Sequence, residues 1–300
     1  MCLPLALVLW PSFSGDQSPE PVTNRWVTRA VTAPRVKQYT LESRSVNTTV
    51  SYHVYLPKAY ENEGSKRFPV LYWLHGSGGG LPGIRPLSGL FDSAIEAEKI
   101  PPLIIVFPNS FAQGMWCDST DGKQPIETIL IKEIIPEMDA KFRTIAGRKG
   151  RIIEGFSMGG YGAGRLGFKF PQMFAGISML AGGPLDLDFA GPRATENPTE
   201  RNQILQTVFG GDMENFKAQS PWTWAEKNAA SLKTGTSIRI CIGEADFTLP
   251  ANRAFSAHLT NLGIPHQFMV KPKVGHDTLR LLGALGEDNW RFYRDVFTPR

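Results

Sequence analysis

The chain has 300 residues, of which 42% are hydrophobic and 20% are charged, a composition that suits one large α/β domain with an ample core. The net charge of +4 is spread along the chain without a basic stripe, which argues against a nucleic-acid partner. No apolar run approaches the length of a membrane span, three cysteines are too few for a disulfide framework, and no residues have metal-ligand spacing. We therefore expect neither a metal nor an organic cofactor.

The N-terminus differs from the rest of the chain. Residues 3–10 are apolar and residues 11–15 are small and turn-prone, an order that resembles the core and cleavage region of a secretory signal, although the usual positive start is missing. We expect residues 1–15 to be a signal remnant and the protein to be secreted or periplasmic, with a cytoplasmic location as the alternative. The proline-rich, polar residues 16–35 predict a linker that drapes over a catalytic domain spanning 36–300.

Eight segments have the character of strands. The first two, Val36–Ser43 and Thr49–Leu56, alternate in polarity and predict a hairpin-like, antiparallel edge. The other six are apolar, as strands covered on both faces are: Val70–Leu74, Leu103–Pro108, Gly150–Glu154, Ala175–Leu180, Ile238–Ile242 and Gln267–Val270. Helical patterns separate them: Gly89–Glu98, Glu127–Phe142, Met158–Phe170, Asn252–Leu262 and Leu279–Val296. This alternation predicts an α/β fold with a mostly parallel sheet and helices on both faces.

The regular alternation stops in residues 183–236, where aromatic residues occur among prolines and glycines. One interpretation is a small lid or pocket wall above the sheet, with Trp222 and Trp224 in contact with substrate. The other is a surface excursion with a minor core of its own. Both remain open at this point.

The stretch Gly155-Phe156-Ser157-Met158-Gly159 has the form G-x-S-x-G and lies between a predicted strand and a predicted helix. A serine in such a sharp strand-to-helix turn exposes its hydroxyl above the sheet, where it can act as a nucleophile. The pentapeptide alone is a weak signal in a chain with 30 glycines, so a chance glycine-rich turn is the alternative.

A nucleophilic serine needs a base, and the base needs an orienting acid. Downstream of Ser157, Asp246 and then His276 each follow a predicted strand, at the edge where ligands of open α/β sheets bind. Glu244 and Asp277 are the competing acids. We favour Asp246, because two more residues allow the loop to turn back toward the histidine, whereas the side chains of adjacent residues diverge.

A glycine-rich loop follows the strand Val70–Leu74 and could supply fixed N–H donors for an oxyanion. We expect one donor from Met158 and another from Ser77, with Gly78 as second choice. His75 precedes the serine in sequence, so we expect it to order this loop at the substrate site rather than to act as the base. Trp116 and Asp118 follow another strand at the same edge and are further candidates for substrate contact.

These motifs together resemble the α/β-hydrolase esterase group that includes S-formylglutathione hydrolase, the feruloyl and acetylxylan esterases of carbohydrate esterase family 1, and mycolyltransferases. The resemblance implies an α/β-hydrolase fold and ester hydrolysis by a Ser-His-Asp triad through an acyl-enzyme, on small-molecule or polysaccharide-linked acetyl or hydroxycinnamoyl esters. One departure is that Thr278 and Leu279 stand where relatives often carry tryptophan. The resemblance therefore does not define the shape of the site on the side of the leaving group. Acyl transfer at the same site and a non-catalytic carbohydrate-binding module are the alternatives.

Overall fold

The structure is a computed structural model that describes residues 24–189 and 198–298. The expected signal remnant, residues 16–23 of the expected linker and residues 190–197 of the expected lid lie outside this part of the chain. The signal peptide and its implication of secretion therefore stay predictions. Within the described residues, no helix combines the length and apolarity needed to cross a membrane.

An eight-stranded sheet forms the centre of the molecule. Its strands are β1 (Val36–Ser43), β2 (Thr48–Tyr55), β3 (Val70–Leu74), β4 (Ile104–Phe107), β5 (Arg151–Phe156), β6 (Gly176–Leu180), β7 (Ser237–Gly243) and β8 (Gln267–Lys271). The spatial order is β1-β2-β4-β3-β5-β6-β7-β8. Strands β3 to β8 run parallel, and β2 is antiparallel to both β1 and β4. The predicted fold class and its antiparallel edge are confirmed.

Helices connect the strands and cover both faces of the sheet. They are Lys58–Asn62, Leu81–Glu96, Ile126–Thr128, Ile135–Lys141, Met158–Lys169, Pro198–Phe209, Met213–Gln219, Pro221–Lys227, Ala229–Leu232, Leu249–Asn261, Thr278–Leu285 and Glu287–Phe297, with a π-helical turn at Ile129–Ile134 and a 3₁₀ turn at Arg148–Gly150. Two apolar clusters, one on each side of the sheet, form the core. Apolar strand residues contribute to both clusters, which explains the continuously apolar pattern of the central strands.

Three helix predictions differ from the structure. The helix expected to begin at Gly89 begins at Leu81, because Pro82 fits the first helical turn and the glycines that follow do not stop it. The expected helix 127–142 contains a π-helical turn. The expected helix 279–296 is two helices that meet at Gly286, whose φ of 54° is costly for other residues.

The segment predicted as a lid has its own aromatic core in the residues that are described. Phe216 packs against Phe189, Phe209 and Tyr161, with ring centroids 4.6, 5.3 and 6.3 Å away. Since Tyr161 belongs to the helix that follows Ser157, this small core is attached directly to the sheet domain. The minor core is thus present, and closure of the segment over the site remains a prediction.

A buried ion pair connects the middle of the sheet to the last helix. Arg239 of β7 donates to Glu154 of β5 over 2.7 Å, and both side chains are fully buried. Arg239 also donates to Ser178 of β6 at 2.8 Å, while the Tyr293 hydroxyl donates to Glu154 at 2.7 Å. These bonds join three neighbouring strands to the helix Glu287–Phe297. Glu154 precedes Ser157 by three residues in the sequence.

We expect Arg239→Ala to lower the free energy of unfolding by about 3–5 kcal/mol, because it leaves the Glu154 carboxylate buried without its counter-charge. Urea denaturation measures the change. The control is Lys217→Ala, which removes an exposed pair with Glu214 and should cost less than about 1 kcal/mol. Equal effects of the two substitutions would contradict a structural role for the buried pair.

Candidate active site

Ser157 occupies a strained turn between β5 and the helix Met158–Lys169. Its φ of 57° and ψ of −120° lie outside the regions that non-glycine residues favour. Its N–H donates to the carbonyl of Leu180 at 2.9 Å, and its carbonyl accepts from Gly183 at 3.1 Å. Both backbone groups of the serine are therefore fixed by the last residue of β6 and the chain that follows it. Such strain is common at functional sites.

The glycines around Ser157 are required by close backbone contacts. A Cβ on Gly159 would overlap the carbonyl of Leu74 in β3, and one on Gly155 would overlap the backbone of Gly159. A Cβ on Gly160 would come within 2.8 Å of the carbonyl of Leu180 in β6. The start of the helix can approach β3 and β6 only because these positions lack side chains.

Ser157, His276 and Asp246 form one chain of hydrogen bonds. The distance from Ser157 Oγ to His276 Nε2 is 2.9 Å, and that from His276 Nδ1 to Asp246 Oδ2 is 2.8 Å. Asp246 is 4% exposed. Burial by itself would raise its pKa, but hydrogen bonds from His276 and Thr248 outweigh burial and lower the pKa. The ionised carboxylate can only accept, so Nδ1 carries the proton and Nε2 is free to accept the serine proton.

The imidazole of His276 lies between two aromatic rings. The ring centroids of Phe156 and Phe247 are 4.6 and 4.5 Å from that of the imidazole, both inclined by about 45°. These rings restrict the rotation of the histidine. Sequence analysis missed this role of Phe247, because nothing in a single loop residue next to Asp246 indicates a contact with His276.

The two competing acids are engaged elsewhere. Glu244 is exposed and accepts a 3.3 Å hydrogen bond from the backbone of Lys273. Asp277 caps the helix Thr278–Leu285 by accepting from the N–H of Arg280 at 2.9 Å. Asp246 is the one of the three that reaches His276, because the turn after β7 directs its side chain back toward the imidazole.

Two of the three N–H groups expected to bind an oxyanion have no hydrogen-bond partner among the described residues. They belong to Ser77 and to Met158, which is the first residue of its helix. The expectation for Gly78 was wrong, because its N–H donates to the carbonyl of Ala112 at 2.9 Å. This hydrogen bond links the glycine loop to the loop that follows β4.

His75 has both ring nitrogens bound to the protein backbone. Nδ1 donates to the carbonyl of Gly76 at 2.8 Å, and Nε2 accepts from the N–H of Ser110 at 3.1 Å. Burial lowers the pKa of His75 to about 4, so the ring is neutral and keeps this single pattern of donors. These bonds explain how the residue orders the glycine loop, while its contact with substrate stays a prediction.

Trp116 does not line the cleft as expected. Its side chain is 0% exposed, its indole donates to the carbonyl of His75 at 3.1 Å, and its ring packs against Gly162 of the serine-bearing helix. It therefore packs beneath the glycine loop and the serine-bearing helix and does not face the cleft.

Asp118 accepts from the N–H and the hydroxyl of Thr128, at 2.9 and 2.6 Å, which places its carboxylate at the start of a helix. Its contact with substrate stays a prediction.

The two tryptophans of the predicted lid have different positions. The ring of Trp224 lies 4.8 Å from the ammonium group of Lys169, which is about 18 Å along the helix from Ser157 at 1.5 Å per residue. Trp224 therefore lies far from the serine hydroxyl, and its contact with substrate stays a prediction. Trp222 donates to the carbonyl of Leu185 at 2.8 Å and packs on Phe255, so its substrate contact stays a prediction.

No three His, Cys, Asp or Glu side chains within residues 24–189 and 198–298 are grouped closely enough to hold a metal ion. Cys117 lies near the site but is buried, and burial raises the pKa of its thiol to about 11. A thiol with this pKa is protonated at neutral pH and is a poor nucleophile. Cys117 is therefore not a competing nucleophile at this site.

Comparison with known proteins identifies the family. A family model described as "Putative esterase" matches residues 43–293, so the chain belongs to this family. An esterase of Mycobacterium tuberculosis is 30% identical over 260 residues, which cover 81% of this chain and 56% of the relative. An endo-1,4-beta-xylanase/feruloyl esterase of Xylanibacter ruminicola is 33% identical over 207 residues, 61% of this chain and 28% of the relative.

A solved structure gives the same result for the fold. A ferulic acid esterase superimposes with a TM-score of 0.71 and 27% identity, covering 87% of this chain and 98% of the other. These findings confirm the resemblance stated from the sequence motifs. The chain spans about half the length of the mycobacterial relative. Its match to the xylanase/feruloyl esterase covers 28% of that protein.

The close packing at Gly159 is testable. We expect Gly159→Ala to lower the free energy of unfolding by about 1–3 kcal/mol or more, because the added methyl group must displace backbone. The control is Gly89→Ala in the helix Leu81–Glu96, where a Cβ meets nothing within 4 Å; it should stabilise the protein by about 0.5–1 kcal/mol. Thermal and urea unfolding measure both changes, and a neutral Gly159→Ala would refute the packing argument.

Proposed function

We propose that this protein is a serine carboxylic ester hydrolase that works through an acyl-enzyme. The observation that carries the proposal is the unbroken hydrogen-bond chain from Ser157 through His276 to the buried Asp246. Two further observations support it. The N–H groups of Ser77 and Met158 have no partner in the part of the chain that the structure describes, and the chain belongs to the esterase family. A nucleophile, an oriented base and oxyanion donors are the parts that acyl transfer requires.

The first half of the reaction is acylation. His276 Nε2 takes the proton from Ser157 as Oγ attacks the ester carbonyl, and Asp246 stabilises the imidazolium that forms. The negative charge that develops on the carbonyl oxygen is bound by the N–H groups of Met158 and Ser77, and the loss of one such donor typically costs about 10²–10³ in turnover. His276 then gives its proton to the departing alkoxide, which leaves an acyl group on Ser157.

The second half repeats these steps with water as the nucleophile. His276 removes a proton from water, the hydroxide oxygen attacks the acyl carbon, and His276 returns the proton to Ser157 Oγ as the acid departs. The rings of Phe156 and Phe247 hold the imidazole during both halves. His276 takes a proton from Ser157, gives one to the alkoxide, takes one from water and returns one to Ser157. A fixed ring orientation serves all four transfers, because the oxygen atoms involved meet at one position beside Nε2.

The substrate is proposed from the relatives. The names of two similar proteins contain feruloyl or ferulic acid esterase, and a third is named acetyl esterase. These names favour a hydroxycinnamoyl or acetyl ester, free or attached to a polysaccharide. Transfer of the acyl group to an alcohol instead of to water would use the same residues. Assaying hydrolysis of such esters with and without added sugar alcohols separates a hydrolase from a transferase, since only a transferase forms the new ester in preference to free acid.

We expect Ser157→Ala and His276→Ala each to lower the turnover of p-nitrophenyl acetate by about a millionfold relative to the unaltered protein, because each removes a group that forms or breaks bonds. Circular dichroism checks that both variants fold. A fluorophosphonate probe should label the unaltered protein at Ser157 and neither variant. Retained turnover in either variant would overturn the assignment of these residues. Failure of the folded protein to react with the probe would favour a binding module instead.

The acid can be tested separately. Asp246→Asn keeps the size of the side chain but cannot hold the Nδ1-protonated tautomer, so we expect turnover to fall by about 10⁴-fold. Glu244→Gln is the matched control and should turn over at nearly the unaltered rate, since this exposed carboxylate hydrogen-bonds to the backbone of Lys273 and not to His276. The opposite ranking of the two variants would assign the role to Glu244.

A further inference from the structure

The chain that follows β6 connects the serine turn to the loop of the acid without passing through His276. The peptide group between Gly182 and Gly183 uses both of its polar atoms. Its N–H donates to the carbonyl of Ser157 at 3.1 Å, and its carbonyl accepts from Nδ2 of Asn252 at 2.8 Å. Because a peptide group is planar and stiff, a displacement of Asn252 is passed on to the backbone of the serine.

Asn252 is fixed by its own helix as well as by this peptide group. It lies in the first turn of the helix Leu249–Asn261 and is 0% exposed. Its second amide N–H donates to the carbonyl of Thr248, directly before that helix, at 2.9 Å. Its amide oxygen has no hydrogen-bond partner within the part of the chain that the structure describes, so the side chain acts through its two N–H donors.

Thr248 completes the connection to the carboxylate of the acid. Its N–H and its hydroxyl each donate to Oδ1 of Asp246 over 2.8 Å, while Oδ2 is bound to His276. The methyl group of Thr248 lies against Gly183, where an added Cβ would come within 3.3 Å of it. Both oxygens of the carboxylate are therefore held, and one is held by a residue that packs on the peptide group bound to Ser157.

We propose that Asn252 and Thr248 are positioning residues that hold the loop of Asp246 against the serine turn. The hydrogen bonds then form a closed ring, which runs from Ser157 through His276 and Asp246 to Thr248 and Asn252 and returns through the peptide group after β6. The buried ion pair lower in the sheet acts on the strands, whereas these bonds act on the loops themselves. The role rests on the proposed function, in which a misplacement of about 1 Å can cost about 10²-fold in rate.

Asn252→Leu removes both donors and keeps a side chain of similar shape. We expect kcat for p-nitrophenyl acetate to fall by about a hundredfold with little change in KM, because the buried residue acts through Asp246 and not on the substrate. The control is Asn228→Leu, which removes a 2.7 Å bond to the carbonyl of Phe168, away from the serine, and should leave kcat unaltered. An unchanged kcat in Asn252→Leu, or an equal loss in both variants, would overturn the proposal.

A double variant separates positioning from a general loss of stability. Asp246→Asn already removes the function of the acid, so adding Asn252→Leu should lower kcat little further if Asn252 acts through the acid. A further loss as large as the one that Asn252→Leu causes alone would mean that the two residues act independently, and would refute the positioning role.

Thr248 provides a test that disturbs the core less, because its side chain is half-buried. Thr248→Val keeps the methyl group and removes the hydroxyl donor, so we expect kcat to fall by about tenfold, the change that corresponds to one hydrogen bond to a charged group. Thr248→Ser keeps the hydroxyl and should restore most of this loss. Equal kcat in Thr248→Val and the unaltered protein, or a lower kcat in Thr248→Ser than in Thr248→Val, would contradict the role of Thr248.

Proton NMR distinguishes failure of this inference from failure of the proposed function. The proton on Nδ1 of His276 that is bonded to Asp246 should give a separate downfield signal, assigned by its loss in His276→Ala. We expect Asn252→Leu to shift or remove this signal and Asn228→Leu to leave it in place. Absence of hydrolysis of every ester would count against the proposed function alone, whereas an unchanged signal in Asn252→Leu would overturn the positioning role.

Discussion

The site depends on how closely one helix approaches the sheet. Gly155, Gly159 and Gly160 allow the start of the helix Met158–Lys169 to contact the carbonyl groups of β3 and β6 directly. This contact fixes the strained backbone of Ser157 and brings it beside the loop that follows β3. Because atoms in a close-packed interior have little room to relax, the position of the serine hydroxyl follows from backbone packing rather than from the side chain itself.

The parallel sheet supplies the remaining geometry. The carboxyl ends of neighbouring parallel strands meet at one edge, so the loops after β3, β5, β7 and β8 converge there although they are far apart in sequence. Beneath this edge, Arg239 and Glu154 join β7 to β5, the strands that lead to Asp246 and Ser157. We infer that this buried pair sets the relative position of the two strands, and with it the distance between the acid and the serine.

The sequence predicted the interior of the elements better than their ends. All eight strands lie where apolar or alternating runs indicated, because side-chain periodicity reflects burial on one or both faces of a sheet. The errors occurred at glycines and prolines, whose effect depends on position. Pro82 begins a helix, and Gly286 separates two helices within a stretch that had been predicted as continuous. Propensity alone does not separate these cases, because packing decides whether a turn is continued.

By itself, the sequence determined the fold class, the esterase family and the three side chains that form the hydrogen-bond chain, because motif, order and spacing are properties of the chain. Only the tertiary structure decided that Trp116 is buried and that Phe247 lies against His276. It also decided that the N–H of Gly78 is already bonded, while that of Ser77 has no partner within the residues that are described. The physical reason is that each of these facts depends on a contact between segments that are brought together by packing, and local sequence does not encode which partner a side chain or N–H group will find.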